Sequence, residues 1–107
     1  MIVRLAVIEG LLGVWHLEEA DPSLGMDDSV ELQFEPNGEL RHCIDAGSKW
    51  QVIRLTYRVE GDTLITDQPS HPREEHTRFE VVGHTLVLHY GGGKARFVRG
   101  PRRCPVV

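Results

Sequence analysis

Cysteine is scarce in this chain of 107 residues, which carries only Cys43 and Cys104, far apart in sequence. Two widely separated thiols are too few for a disulfide framework or a cysteine-based zinc site, so they read as unpaired thiols in a reducing compartment. A long hydrophobic run is also missing. The apolar stretch after Met1 is interrupted at Glu9, and no Ala-x-Ala-like cleavage site follows. Neither a signal peptide nor a membrane span is expected. The expected location is cytoplasmic, with secretion after removal of a signal as the alternative. Basic excess is absent too: the net charge is -4 and the pI is near 5.8. That argues against a nucleic-acid surface, and the short basic tail from Arg99 to Arg103 does not change the balance. The chain has no Gly-x-Ser-x-Gly elbow, no phosphate-cradling glycine loop and no Cys-His arrangement that sequence spacing supports. No enzyme, cofactor or metal centre is therefore expected from motif chemistry.

What is present is alternation. A chain of this length makes one domain with one core, here expected over residues 1–107. Ile2, Leu5, Ile8 and Leu12 recur at helical spacing and predict a short helix over about residues 2–10. From Trp15 onward the period changes to two. Trp15 and Leu17, then Val30, Leu32 and Phe34, then Leu40, His42 and Ile44 open the series, followed by Ile53, Leu55, Tyr57 and Val59. It continues through Leu64 and Thr66, then Thr77, Phe79 and Val81, then Leu86, Leu88 and Tyr90, and ends on Ala95, Phe97 and Arg99. These are eight candidate strands, occupying about residues 13–99, with a C-terminal tail at 100–107.

The connections Pro36-Asn37-Gly38, Gly61-Asp62, Gly83-His84 and Gly91-Gly92-Gly93 have the chemistry of tight antiparallel hairpins. Sequential strands should then be neighbours. No connection has room for a helical crossover, which excludes a parallel sheet. One apolar face and one polar face per strand favour an all-β, eight-stranded, antiparallel up-and-down barrel, because closure removes exposed sheet edges. A two-sheet sandwich is the alternative. The short turns fall at the Trp15 end and three longer loops at the other, predicting a closed end and a looped end.

Leu12-Gly13-Val14-Trp15, Phe34-Glu35-Pro36-Asn37-Gly38, Tyr57-Arg58-Val59-Glu60-Gly61 and Phe97-Val98-Arg99 together resemble the lipocalin-like domains of the calycin group. The resemblance spans about residues 10 to 99 and is strongest to compact bacterial members. It implies that Trp15, following Gly13, sits at the closed end beneath Arg99 of the last strand. It also implies a barrel that holds a small ligand, an argument by analogy of fold.

His42 is the most suggestive single residue, because its parity turns an imidazole into the barrel. Thr66, Thr77 and Tyr90 share that inward parity toward the looped end, with Glu75 at the rim. An apolar cavity with a few polar groups at one end is the usual form of a small-molecule site; a barrel filled by side chains is the alternative. Glu75 beside His42 would make a proton-transfer pair. His71, Glu74, Glu75 and His76 could hold a transition metal, but with Pro69 and Pro72 beside them a solvated polar loop is the favoured reading. Trp50 has outward parity or lies in the mouth loops. Val82, Val87 and Val98, outward on three successive strands, could form an apolar strip for a homodimer. The sequence thus reads first as a non-catalytic binder of a small, largely apolar ligand. An interaction or structural module with a filled core comes second, and a small barrel enzyme or metal protein third. Neither nucleic acid nor a membrane is an expected partner.

Overall fold

The computed structural model describes residues 9–26 and 29–105. Eight strands follow in order: β1 (Gly13–Ala20), β2 (Val30–Phe34), β3 (Glu39–Asp45), β4 (Trp50–Glu60), β5 (Thr63–Asp67), β6 (Glu75–Val82), β7 (Thr85–Tyr90) and β8 (Gly93–Arg99). Each pairs antiparallel with the next, and β1 pairs with β8 to close the barrel, with Trp15 opposite Arg99. The meander expected from the turn residues is the observed one. The turns after β2, β4 and β6 are tight and lie at the Trp15 end; the loops before β2, β4 and β6 lie at the other, together with the tight β7–β8 turn. Residues 9–11 are helical. The rest of the predicted helix, with Ile2, Leu5 and Ile8, lies outside the described residues. In this segment it is Leu11 that is fully buried.

Alternation places the core as expected. Trp15, Phe34, Phe79, Leu86 and Phe97 fill the closed half. Tyr57 meets Phe34 edge-on at 5.1 Å between ring centroids and donates its hydroxyl to Glu35 O at 2.8 Å. The closed end is sealed by a small assembly. The Arg99 guanidinium lies 4.2 Å from the centre of the Trp15 ring and donates to Leu12 O at 2.7 Å and to Gly10 O. Trp15 Nε1 donates to Leu11 O at 2.8 Å. The arginine therefore stacks on the indole and also satisfies carbonyls left open where the helical turn ends. Gly13 permits this approach: its φ is 115°, and a Cβ there would stand 3.0 Å from Arg99 Nη1.

Strict alternation fails on β5, where Ile65 is buried at 2% exposure although it lies on the outward face between Arg58 and His76, and at two further places. In β1 the pairing with β8 slips between Leu17 and Glu19. This bulge leaves Glu18 and Glu19 both outside, where Arg96 meets them at 2.9 and 3.2 Å, and returns Ala20 to the core. The last departure is larger. The outward residues of β2, Glu31 and Gln33, were expected to face water but are buried at 1% and 0% exposure. They are covered by the C-terminal segment, expected to leave β8 as a free extended tail. The segment is extended but lies across the outside of β1, β2 and β3. His16 Nε2 donates to Pro101 O at 2.6 Å, the backbone N–H groups of Arg103 and Cys104 donate to the Glu31 carboxylate, and Gln33 donates to Cys104 O. Gly100 allows the crossing, since a Cβ there would stand 2.8 Å from the His16 ring.

Trp50 opens β4 opposite Asp45, at the looped end and on the outward parity. The valine strip is interrupted. Val82 and Val98 both pair with Thr85, whereas Val87 lies between Glu80 and Arg96. Val82 alone of the three is largely exposed, at 78%. Among the described residues no helix is long and apolar enough to cross a membrane.

Candidate functional site

The looped half of the barrel is not filled. Val30 at the start of β2, His42 and Ile44 on β3 and Tyr90 at the end of β7 face one another there. Leu24, the last residue of a 3-10 turn (Pro22–Leu24), with Gly25 and Met26 after it, supplies the rest of the described lining. The pocket is open to solvent at the mouth and has a volume of about 390 Å3. It exists because the bulky residues are concentrated at the other end, while aliphatic side chains of moderate size line this one.

Two polar groups break the apolar lining. Among the described residues, neither the His42 imidazole nor the Tyr90 hydroxyl has a hydrogen-bond partner. Neither is a buried unsatisfied group, since Tyr90 is 37% exposed and His42 is half-buried; both are polar groups at the pocket mouth that a ligand could engage in place of water. Burial holds the His42 imidazole below its ordinary value of 6.5, which keeps the ring neutral near pH 7. Burial, and secondarily the Glu75 carboxylate, push the Tyr90 phenol up to about 12 although the residue is 37% exposed at the rim. A neutral imidazole offers one donor and one acceptor, and a protonated phenol offers both as well. The described lining contains no lysine or arginine.

The other expected site residues are distributed differently. Glu75 stands near Tyr90, but its carboxylate points to solvent and meets Arg73 at 3.3 Å. It forms no hydrogen bond with His42, so the proposed proton-transfer pair is not assembled. Thr66 and Thr77 are partly buried on β5 and β6, Thr77 opposite Leu64, and neither is in the described lining of the cavity. Leu24 and Met26 were missed by the sequence reading, because they lie in a loop where period-two patterning gives no signal. Their apolar character inside a polar loop was the available clue.

The loop before β6 keeps its histidines apart. His76 Nε2 meets Glu74 Oε1 at 2.9 Å, Glu74 also reaches Arg58 at 3.4 Å, and His71 contacts Ser70 at 3.3 Å. No cluster of three or more metal-ligating side chains occurs among the described residues. A larger groove of about 520 Å3 runs along β4, between residues 37–39 and residues 68–70. It is a gap left where β5 pairs with β4 only from Thr56 onward, and its wall carries the Glu39–Arg54 ion pair at 3.3 Å. The His42 cavity, apolar with converging polar groups, is the better candidate for a small molecule.

A closed eight-stranded meander with a tryptophan under the last strand's arginine at one end and a cavity at the other is a lipocalin-like barrel. Solved structures agree. A lipocalin-like protein from Bacteroides uniformis superposes with a TM-score of 0.72 at 17% identity, covering 85% of this chain and 99% of that one. An uncharacterized protein from Bacteroides eggerthii gives 0.69 at 17% identity, covering 83% and 98%. At such identities the likeness establishes the fold. No family model matches the sequence, and no curated protein matches it.

Proposed function

We propose that the protein binds, without transforming, a small and largely apolar molecule in the His42 cavity, and that the molecule carries an uncharged hydrogen-bonding group. The supporting observation is the pair of unpartnered polar side chains, His42 and Tyr90, in an otherwise apolar pocket. A hydroxyl or carbonyl on the ligand would satisfy both. A carboxylate would find no cation in the described lining and a neutral histidine, and burying an unpaired charge is costly. At about 30 Å3 per non-hydrogen atom, 390 Å3 admits a ligand of roughly a dozen such atoms.

The experiment is nuclear magnetic resonance of labelled protein titrated with a medium-chain alcohol. The expected result is shift changes concentrated at Met26, Val30, His42, Ile44 and Tyr90. Changes confined to Arg54, Gln68 and Ser70 would move the site to the outer groove. A spectrum unchanged at saturating alcohol would remove this reading.

A further inference from the structure

The two cysteines, distant in sequence, meet in the fold. Cys43 faces outward on β3, between the cavity residues His42 and Ile44, and pairs across to Glu31 of β2. Cys104 is brought over the same spot by the C-terminal segment. Its backbone N–H donates to Glu31 Oε2 at 3.2 Å and its carbonyl accepts from Gln33 Nε2 at 3.2 Å. Arg102 secures the segment further, donating to Gln33 Oε1 at 2.8 Å and Glu35 Oε1 at 3.1 Å. Arg41 of β3 joins the layer through Glu35 at 2.6 Å and Glu39 at 2.7 Å. Both thiols are free and buried, at 0% and 1% exposure; Cys104 Sγ donates to Pro105 O at 3.7 Å, and the two thiols lie close enough for Cys104 to push the Cys43 thiol up.

We propose that Cys43 and Cys104 form a disulfide-modification site through which a small-molecule disulfide covalently locks the C-terminal segment across β2 and β3. The segment is held by hydrogen bonds and ion pairs, with no strand ladder along its length, so it can lift locally and expose the thiols. One deprotonated thiol attacks the small disulfide, forming a mixed disulfide and releasing one small thiolate. When the segment closes, the second thiolate attacks the protein sulfur of that mixed disulfide. The Cys43–Cys104 bond forms and the second small thiolate leaves. The two protein protons end on the two released thiols, and the two electrons lost by the protein reduce the small disulfide. In the closed state reaction is slow, because burial first, then the contact with Cys104 and the Glu31 charge, push the Cys43 thiol well above its ordinary value. Opening of the segment therefore sets the rate, and the product, reburied, is protected from reduction.

The test is incubation of the native protein with oxidised glutathione, acid quenching, intact mass and non-reducing peptide mapping. The expected product is a monomer about 2 Da lighter, with one peptide pair joining Cys43 to Cys104 and a Tm raised by roughly 10 °C. Cys43→Ser and Cys104→Ser should each stop at a glutathione adduct, and Glu31→Ala, which releases the segment, should speed oxidation of the wild-type pair several-fold. Stable glutathione adducts or intermolecular dimers in the wild type would overturn the proposal. So would thiols still free when an unfolded control has fully oxidised. Because the mapping is done on the unsubstituted chain, it holds even if a variant fails to fold.

Discussion

Replacing His42 by leucine should change the acid limb of stability. The folded protein holds His42 below 6.5 through burial, so as the pH falls the unfolded chain takes up that proton first. The stability is complete above about 6.5 and is lost as the pH falls toward the lower folded value, at no more than about 1.4 kcal/mol per pH unit from one group. His42→Leu should flatten this limb in denaturant titrations run between pH 7 and 5; an unchanged slope would show that His42 titrates normally. At the closed end Arg99→Ala removes a stacked guanidinium and donors to two carbonyls, and should cost about 2–3 kcal/mol in urea unfolding. A loss below about 0.5 kcal/mol would mean that the Arg99 contacts behave like an exposed ion pair. Both residues were legible in the sequence, His42 by parity with Leu40 and Ile44, and Trp15 with Arg99 by the resemblance of their flanking motifs. The placement of Glu75 was not, because its position at a strand end leaves the direction of its side chain to the local loop.

Among the elements, β2 departs most from its sequence pattern. Val30, Leu32 and Phe34 against Glu31 and Gln33 reads as a half-wet strand, yet all five residues are buried. The cause is the segment after Gly100, whose prolines and arginines mark it as extended but give no sign of what it lies against. It places polar partners over Glu31 and Gln33, so the second face of β2 is buried without being apolar. Arg41 Nε is the one buried side-chain atom among the described residues that this polar layer leaves unpartnered. Ending the chain at Gly100 should cost about 2 kcal/mol or more in urea unfolding and should make Cys43 react with a thiol reagent at least tenfold faster than in the full chain. An unaltered thiol rate would show that the segment does not shield it. Acid should loosen the same layer. Burial pushes Glu35 up, but its hydrogen bonds to Arg41 and Arg102 outweigh that and hold it below 4.5. Its contribution is present above 4.5 and lost as the pH falls through the lower folded value.

The whole molecule divides its interior by side-chain size. Trp15, Phe34, Phe79 and Phe97 close one end, and the other keeps a cavity whose lining includes Leu24 and Met26 from the loop before β2. The closed meander was readable because period-two patterning and hairpin glycines act locally. Whether the interior would be filled was not, since that depends on volumes summed across strands and on a loop without periodicity. The outer valines likewise read as a strip until the register placed Val87 between Glu80 and Arg96.

The most direct test of ligand binding at the mouth is calorimetric titration of the purified protein with octanol and with octanoate, repeated on Ile44→Trp, which fills the cavity. The predicted result is saturable, one-to-one binding of octanol, roughly ten- to a hundredfold tighter than octanoate, and abolished by the tryptophan. Equal affinity for the carboxylate, or binding that survives Ile44→Trp, would contradict the assignment of an uncharged ligand to this cavity.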